Sequence, residues 1–150
     1  RPAGGHEPRR VRIDAHSHGL PDAARLGVGG LLAHVSDGLH LGIRDLTRSP
    51  SAAKAASAAG GTDGVQLAEL HAPFSHQELI LRRELGLGDD VRINPSGGPL
   101  AGNPMFTGGA IRIGEAARRI WDGTVDKALG HATSGPALQQ NLVCVMEGAS

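Results

Sequence analysis

A segment rich in glycine and proline, residues 94–109, most constrains how this chain can fold. Its glycines permit positive φ angles and its prolines fix φ and remove backbone donors, so we expect no regular structure before Gly109. The segment leads directly into a helix predicted for Gly108–Trp121. Such a loop brings backbone N–H groups and the positive end of a helix dipole to one point. It therefore predicts a place for an oxyanion, a thioester oxygen or a phosphate, with a long loop of ordinary turns as the alternative.

The helix is predicted from its apolar periodicity. The side expected to pack against the sheet consists of Ala110, Ile113, Ala117, Ile120 and Trp121. The side expected to face water consists of Arg112, Glu115, Arg119 and Asp122. Small residues along it are expected to let another helix approach closely: Gly109, Ala110, Gly114 and Ala117.

Composition excludes several classes of protein. The chain of 150 residues has 15 basic and 15 acidic residues, so no charge excess indicates nucleic acid or an anionic membrane as a partner. No apolar run approaches the ~20 residues that span a bilayer. The single cysteine, Cys144, excludes an internal disulfide framework and fits a reducing cytosol, so a cytoplasmic location is expected. Since the chain begins at Arg1 without a methionine, we expect that a further segment belongs upstream.

Alternating helix and strand patterns predict the fold class α/β, an α/β sandwich with a mixed sheet of about five strands. Residues 1–30 are expected to be a lead-in or linker, and residues 31–150 the domain. Strands are predicted at 31–35, 64–70, 91–93, 128–133 and 141–147. Helices are predicted at 51–59 and 73–85, besides the one at 108–121; Ser49 is the expected N-cap of the first, with Pro50 at its first position.

A short predicted strand near the start carries Asp14, His16 and His18. Alternate histidines on one face of a strand resemble the first metal-binding strand of amidohydrolases. A barrel of that kind needs about 250 residues and further ligands. We therefore expect surface histidines and no metal site, and keep a metal-dependent hydrolase as a minor hypothesis.

Three short motifs fall at strand ends or in loops, where α/β folds place their chemistry. They are His71-Ala-Pro-Phe74, Gly102-Asn103-Pro104 and Cys144-Val-Met-Glu-Gly148. Together with Asn94-Pro-Ser-Gly-Gly98, they make residues 31–148 resemble the C-terminal half of a thiolase. Within that superfamily the chain is most similar to the branch of the sterol carrier protein x thiolases and the actinobacterial thiolase-like lipid-transfer and aldolase proteins.

The resemblance implies an acyl-CoA site completed by three loops. His71 and Phe74 match the loop that positions an oxyanion donor. Asn103 stands at the position of a histidine that activates a nucleophile, and Cys144 at that of an acid/base cysteine. The substrate-binding positions implied beside them are Phe74, Gly97, Gly98, Gly102 and Met146. The expected substrate is a coenzyme A thioester, with no covalently bound cofactor.

Two positions depart from the thiolase pattern. An asparagine at 103 can donate a hydrogen bond to an oxyanion but cannot take a proton from a thiol near neutral pH. Met146 replaces a glycine and would crowd a substrate that approaches Cys144. The alternatives for the site residues are a core residue for Cys144, a helix-capping turn residue for His71 and a turn residue for Asn103.

Two main hypotheses follow. In the first, the chain is an acyl-CoA-handling subunit for acyl transfer or retro-aldol cleavage, completed by an N-terminal thiolase-type half or a partner chain, and inactive alone. In the second, it is a non-catalytic scaffold that binds a partner such as a zinc-ribbon/OB-fold protein. Both predict an oligomer. The first predicts that His71, Asn103 and Cys144 converge in one pocket, because neighbouring strands end side by side.

Overall fold

The computed structural model describes residues 9–15, 28–38 and 41–148, which form one mixed sheet with helices on both faces. The described part contains six strands, in the order β1-β2-β6-β5-β3-β4. Their bounds are β1 Arg9–Ala15, β2 Val28–Ser36, β3 Leu67–Glu69, β4 Arg92–Ile93, β5 Lys127–Ser134 and β6 Gln140–Gly148. The α/β class and the mixed sheet are confirmed, with one strand beyond the approximate five.

The strand beyond the five is β1, which lies within the expected lead-in and overlaps the short strand predicted to carry Asp14. It pairs antiparallel with β2. β2 begins at Val28, three residues before the strand predicted at 31–35, so the boundary expected after residue 30 falls inside β2. His16 and His18, the histidines of the metal-binding pattern, lie outside the described residues.

The parallel part of the sheet positions the site. β3 pairs in parallel with β4 on one side and with β5 on the other, whereas β5, β6, β2 and β1 are successively antiparallel. Because β3, β4 and β5 run the same way, the loops that follow them leave from one edge of the sheet. The residues after Glu69, Ile93 and Ser134 therefore share that edge.

The helices form two layers around this sheet. They are α1 Pro50–Ala58, α2 Ser75–Glu84, α3 Gly98–Ala101 and α4 Gly108–Trp121. Alanines of α1 and Leu81 of α2 pack on one face, and α4 packs on the other. The one-turn helix α3 corrects the expectation that residues 94–109 contain no regular structure. Pro99 lies near its start, where a missing N–H costs nothing.

Helix α1 begins where expected, but Ser49 does not cap it through its side chain. The Ser49 hydroxyl instead donates to the carbonyl of Leu138 at 3.3 Å, so it ties α1 to the segment before β6. This long-range bond has no local signature in the sequence.

Helix α4 lies close to the sheet because glycines are present on both surfaces. A Cβ at Gly109 would overlap Ala132 on β5, and a Cβ at Gly130 would lie 2.7 Å from Cα of Ile113. Ala116 and Ile120 complete the packed face, with Leu67, Ala128 and Cys144 beneath them. None of the helices in the described ranges is long and apolar enough to cross a membrane.

Candidate functional site

His71 and Asn103 lie together at the edge where the parallel strands end. His71 follows β3 by two residues and is buried, and its Nε2 lies 3.2 Å from Oδ1 of Asn103. Asn103 lies in the connection between α3 and α4, and its residue surface is exposed. Two residues 32 positions apart are thus brought to one point, as the shared strand edge predicts.

The second nitrogen of His71 fixes the tautomer. The backbone N–H of Thr133, near the end of β5, donates to Nδ1 at 3.4 Å. Nδ1 must then be unprotonated, so Nε2 carries the proton and donates to Asn103 Oδ1. The Asn103 amide consequently directs its carbonyl oxygen to His71 and leaves its NH₂ group for another acceptor.

Gly108 lets helix α4 begin directly against this pair. A Cβ at that position would lie 2.7 Å from His71 Nε2 and 3.0 Å from Asn103 Oδ1. Any side chain there would therefore separate the two groups. The first turn of α4 lies beside the pair for the same reason, although the N–H of Gly108 itself donates to the Pro104 carbonyl at 2.9 Å.

A buried ion pair joins β3 to α4, the elements next to His71 and Asn103 in the chain. Arg112 donates from Nη1 to Glu69 Oε2 at 3.0 Å, and the two side chains are 6% and 0% exposed. Ser96 bonds to both: its N–H and hydroxyl donate to Glu69 at 3.0 and 2.7 Å, and Arg112 donates to its hydroxyl at 2.7 Å. The sequence placed Arg112 on the solvent side of the helix, and that prediction is wrong because its partner lies on β3. Conversely, Ala110 was expected on the packed side and is exposed.

Asn94 holds the start of the glycine-rich segment to the His71 loop. Its Oδ1 accepts from the N–H of Leu70 at 2.6 Å, and its Nδ2 donates to Glu78 of α2 at 2.8 Å. Its φ of 48° is in the left-handed region, which asparagine tolerates better than most residues. The residue immediately before His71 is therefore fixed by a side chain from the next loop.

Cys144 is not brought to this pair. Cys144 lies within β6 opposite Gly130 of β5. Gly130 is three residues from Thr133, the β5 residue that contacts His71, so these two positions on β5 are about 10 Å apart. The thiol is fully buried among apolar side chains under α4, and this burial raises the pKa of Cys144 to about 11. Met146 is buried in the same cluster. The geometric convergence of all three residues is therefore wrong for the thiol, although its part in any reaction stays a prediction.

The remaining predicted positions lie in the two loops that carry His71 and Asn103. Phe74 is exposed and stacks on the ring of His76 at 5.8 Å between centroids. Gly97 and Gly98 have φ angles of 92° and 59° and turn the chain into α3, so only glycine is unstrained there. Gly102 is extended and exposed, and needs no glycine by its φ.

A second buried polar cluster escaped the sequence analysis. His131 of β5 is fully buried and its Nε2 lies 2.9 Å from Oδ1 of Asn141. The Asn141 amide nitrogen donates to Ser51 Oγ and to the Leu138 carbonyl, both at 2.7 Å, which fixes its orientation. Burial lowers the pKa of His131 to about 4, so the ring is neutral. The local sequence of β5, which is rich in glycine and alanine, does not indicate that His131 is buried and bonded to Asn141.

A well-defined cavity lies elsewhere in the described part of the chain. A cavity of about 330 Å³ borders the start of β2 and the end of β6, with Lys127, Met146 and Glu147 in its lining. Lys127 is at the opposite end of β5 from Thr133, so this cavity and the His71–Asn103 pair are separate. Among the described residues no three His, Cys, Asp or Glu side chains are grouped to hold a metal ion.

Fold and site together define an α/β domain in which a glycine-rich loop and a helix N-terminus present a histidine–asparagine pair at a strand edge. No family model matches the chain. Two curated sequences named beta-ketoadipyl-CoA thiolase, from Acinetobacter baylyi, are each 32% identical to it over 93 residues. The match covers 60% of this chain and 23% of the relative, so the matched part of the chain spans about a quarter of that protein's length. This similarity supports a relationship to the thiolase superfamily.

The hydrogen bonds within the pair determine what it can offer a ligand. His71 Nδ1 is occupied by Thr133 and its Nε2 proton by Asn103, which leaves the Asn103 NH₂ group as the polar function free to meet a ligand. Such a group can stabilise negative charge on an oxygen and cannot remove a proton near neutral pH.

Proposed function

We propose that this chain is the part of a thiolase-superfamily protein that binds a coenzyme A thioester and polarises its carbonyl oxygen. The observation that carries the proposal is the His71–Asn103 hydrogen bond, made where a glycine-rich loop meets the first turn of α4. The relationship to thiolases supplies the substrate class. The finer branch of sterol carrier protein x thiolases and aldolases, and a steroidal acyl group, remain predictions.

In this proposal Asn103 Nδ2 donates to the thioester or keto oxygen. Its other end is held by the Nε2–H of His71, so the amide is oriented before the ligand arrives. A fixed donor stabilises charge that develops on an oxygen without reorganising at that moment. Both acyl transfer and retro-aldol cleavage beside a thioester develop such charge, and both remain open.

A second chain or half would supply the nucleophile and the base. The proposal is supported by apolar side chains exposed around the pair: Leu100, Met105 and Phe106 are 62%, 77% and 98% exposed. On α4, Ile111 and Gly114 continue this surface. An N-terminal thiolase-type half is the proposed occupant, and a cytoplasmic oligomer the proposed assembly. Cys144 would act in proton transfer only as a thiol, since its raised pKa opposes the thiolate.

The test is to titrate acetyl-CoA into the chain alone and into the chain mixed with the N-terminal half of a thiolase. We expect saturable binding that needs the second half. His71→Ala and Asn103→Ala should each lower any turnover by on the order of 10²-fold, the cost of one oxyanion donor. His76→Ala, an exposed histidine five residues away, is the matched control.

The alternative function is a non-catalytic scaffold that binds a partner such as a zinc-ribbon/OB-fold protein. The observation that favours it is the lack of a base in the pair, together with the burial of Cys144. If the wild type, His71→Ala and Asn103→Ala proteins bind and turn over acetyl-CoA equally, the scaffold becomes the better proposal.

A further inference from the structure

We propose that Glu69, Ser96 and Arg112 are positioning residues whose contacts set the distance between His71 and Asn103. We call them the positioning cluster. The expected effect of the cluster on acetyl-CoA binding rests on the proposed function, but its expected effect on the His71–Asn103 hydrogen bond does not.

The cluster joins the three chain segments that determine the pair. Glu69 ends β3, two residues before His71. Ser96 lies in the glycine-rich segment that leads to Asn103, and Arg112 lies in the second turn of α4, just after it. A single carboxylate, Glu69, accepts from the Ser96 N–H, the Ser96 hydroxyl and Arg112 Nη1 at 2.7 to 3.0 Å. Displacing any one segment would therefore break bonds to the other two.

Stability alone does not account for this arrangement. A buried ion pair recovers little more than its desolvation cost, and apolar residues of similar volume are often as stable in its place. Arg112 Nε is also buried without a hydrogen-bond partner among the described residues, which adds to the cost. What the ion pair supplies, and an apolar pair would not, is a directional connection between the loops.

The experiment replaces the charges by apolar groups of similar size in the full chain, Glu69→Leu with Arg112→Met. Three quantities are measured: the free energy of unfolding in urea, the imidazole ¹⁵N shifts of His71, and the affinity for acetyl-CoA in the presence of a thiolase N-terminal half. The matched control is Arg82→Met with Asp89→Asn, which removes an exposed ion pair at 3.1 Å elsewhere.

We expect the apolar variant to unfold at a similar or higher urea concentration than the wild type. Its His71 shifts should nevertheless depart from those of the single Nε2–H tautomer, and acetyl-CoA should bind about tenfold more weakly, the equivalent of one lost hydrogen bond. The control should change neither. A stable variant with wild-type His71 shifts would overturn the proposal.

Ser96→Ala decides the matter if the double variant does not fold. It keeps the ion pair and removes the two hydroxyl contacts within the cluster at 2.7 Å, together with the longer bond from the Gly98 N–H at 3.3 Å. Because the pair should open more often, we expect His71 Nε2–H to exchange with solvent about threefold faster in Ser96→Ala. An unchanged exchange rate would refute the cluster's role. Because the shifts and exchange need no ligand, a wild-type chain that fails to bind acetyl-CoA would count against the proposed function alone.

Discussion

Protonation of His131 should limit the stability of this fold in acid. The ring is fully buried in β5, and burial lowers its pKa from 6.5 to about 4. In the unfolded chain the same ring protonates at its ordinary pKa. Between pH 6.5 and about 4 the unfolded state therefore binds more protons than the folded state, and stability falls as the pH falls.

The magnitude follows from the two pKa values. The interval from 6.5 to about 4, at about 1.36 kcal/mol per pH unit, corresponds to about 3 kcal/mol. The contribution is fully present above pH 6.5, declines across that interval, and changes no further once the folded ring protonates near pH 4. A loss of about 3 kcal/mol is a large part of the 5–15 kcal/mol typical of a folded domain.

The assay is urea unfolding of the wild type and His131→Gln between pH 7.5 and 4. The variant loses the ring and is expected to be less stable at neutral pH, but it has no imidazole to protonate at this site. The stability difference between the two proteins should therefore shrink by about 3 kcal/mol across the interval. His76→Gln, at an exposed position, should follow the wild type. A difference that stays constant with pH would refute the reasoning.

Further expected outcomes concern single positions. Gly108→Ala should lower the free energy of unfolding by about 1–3 kcal/mol, because the added Cβ separates His71 from Asn103. Gly114→Ala should raise it by up to about 1 kcal/mol, because its Cβ would meet nothing within 4 Å. Equal effects of the two variants in urea unfolding would contradict this. Cys144 should not react with a disulfide reagent at pH 8 until the chain unfolds, and rapid labelling of the folded protein would disprove its burial. Asn103→His should give any turnover a new pH dependence near pH 6.5, visible in its pH profile.

The elements with strong local signals were predictable. Helix α4 runs from Gly108 to Trp121, as its periodicity and the glycines before it predict. Helix α1 begins at Pro50 after Ser49, again from local sequence. These signals lie within a few residues of one another, so no knowledge of the tertiary structure is needed to interpret them.

The polar interior was not predictable for the opposite reason. Arg112 has the helical position of a solvent-facing charge, and only Glu69, 43 residues away, makes it a buried one. Asn141 likewise meets serines 90 and 92 positions earlier. Periodicity describes one element, whereas these pairs depend on which elements become neighbours in the sheet.

The candidate site was predictable in part because it depends on topology. His71 and Asn103 follow neighbouring parallel segments, so their meeting at 3.2 Å follows from the direction of the strands. Cys144 was placed with them from its motif, yet β6 is antiparallel to β5 and the thiol lies mid-strand. A sequence motif does not show how far from the end of a strand a residue lies. Here Cys144 lies in the middle of β6, away from the edge of the sheet where the pair is found.

The tautomer of His71 determines what this edge of the sheet can do. Thr133 occupies Nδ1, so the ring cannot accept a proton there without losing that bond, and its Nε2–H is already directed to Asn103. Asn103 in turn keeps its NH₂ group for a ligand. The donor that the pair offers to a ligand is therefore this amide, and the His71 ring holds it in place. A site built this way favours an oxygen that carries or develops negative charge, and any step that removes a proton must take its base from outside this pair.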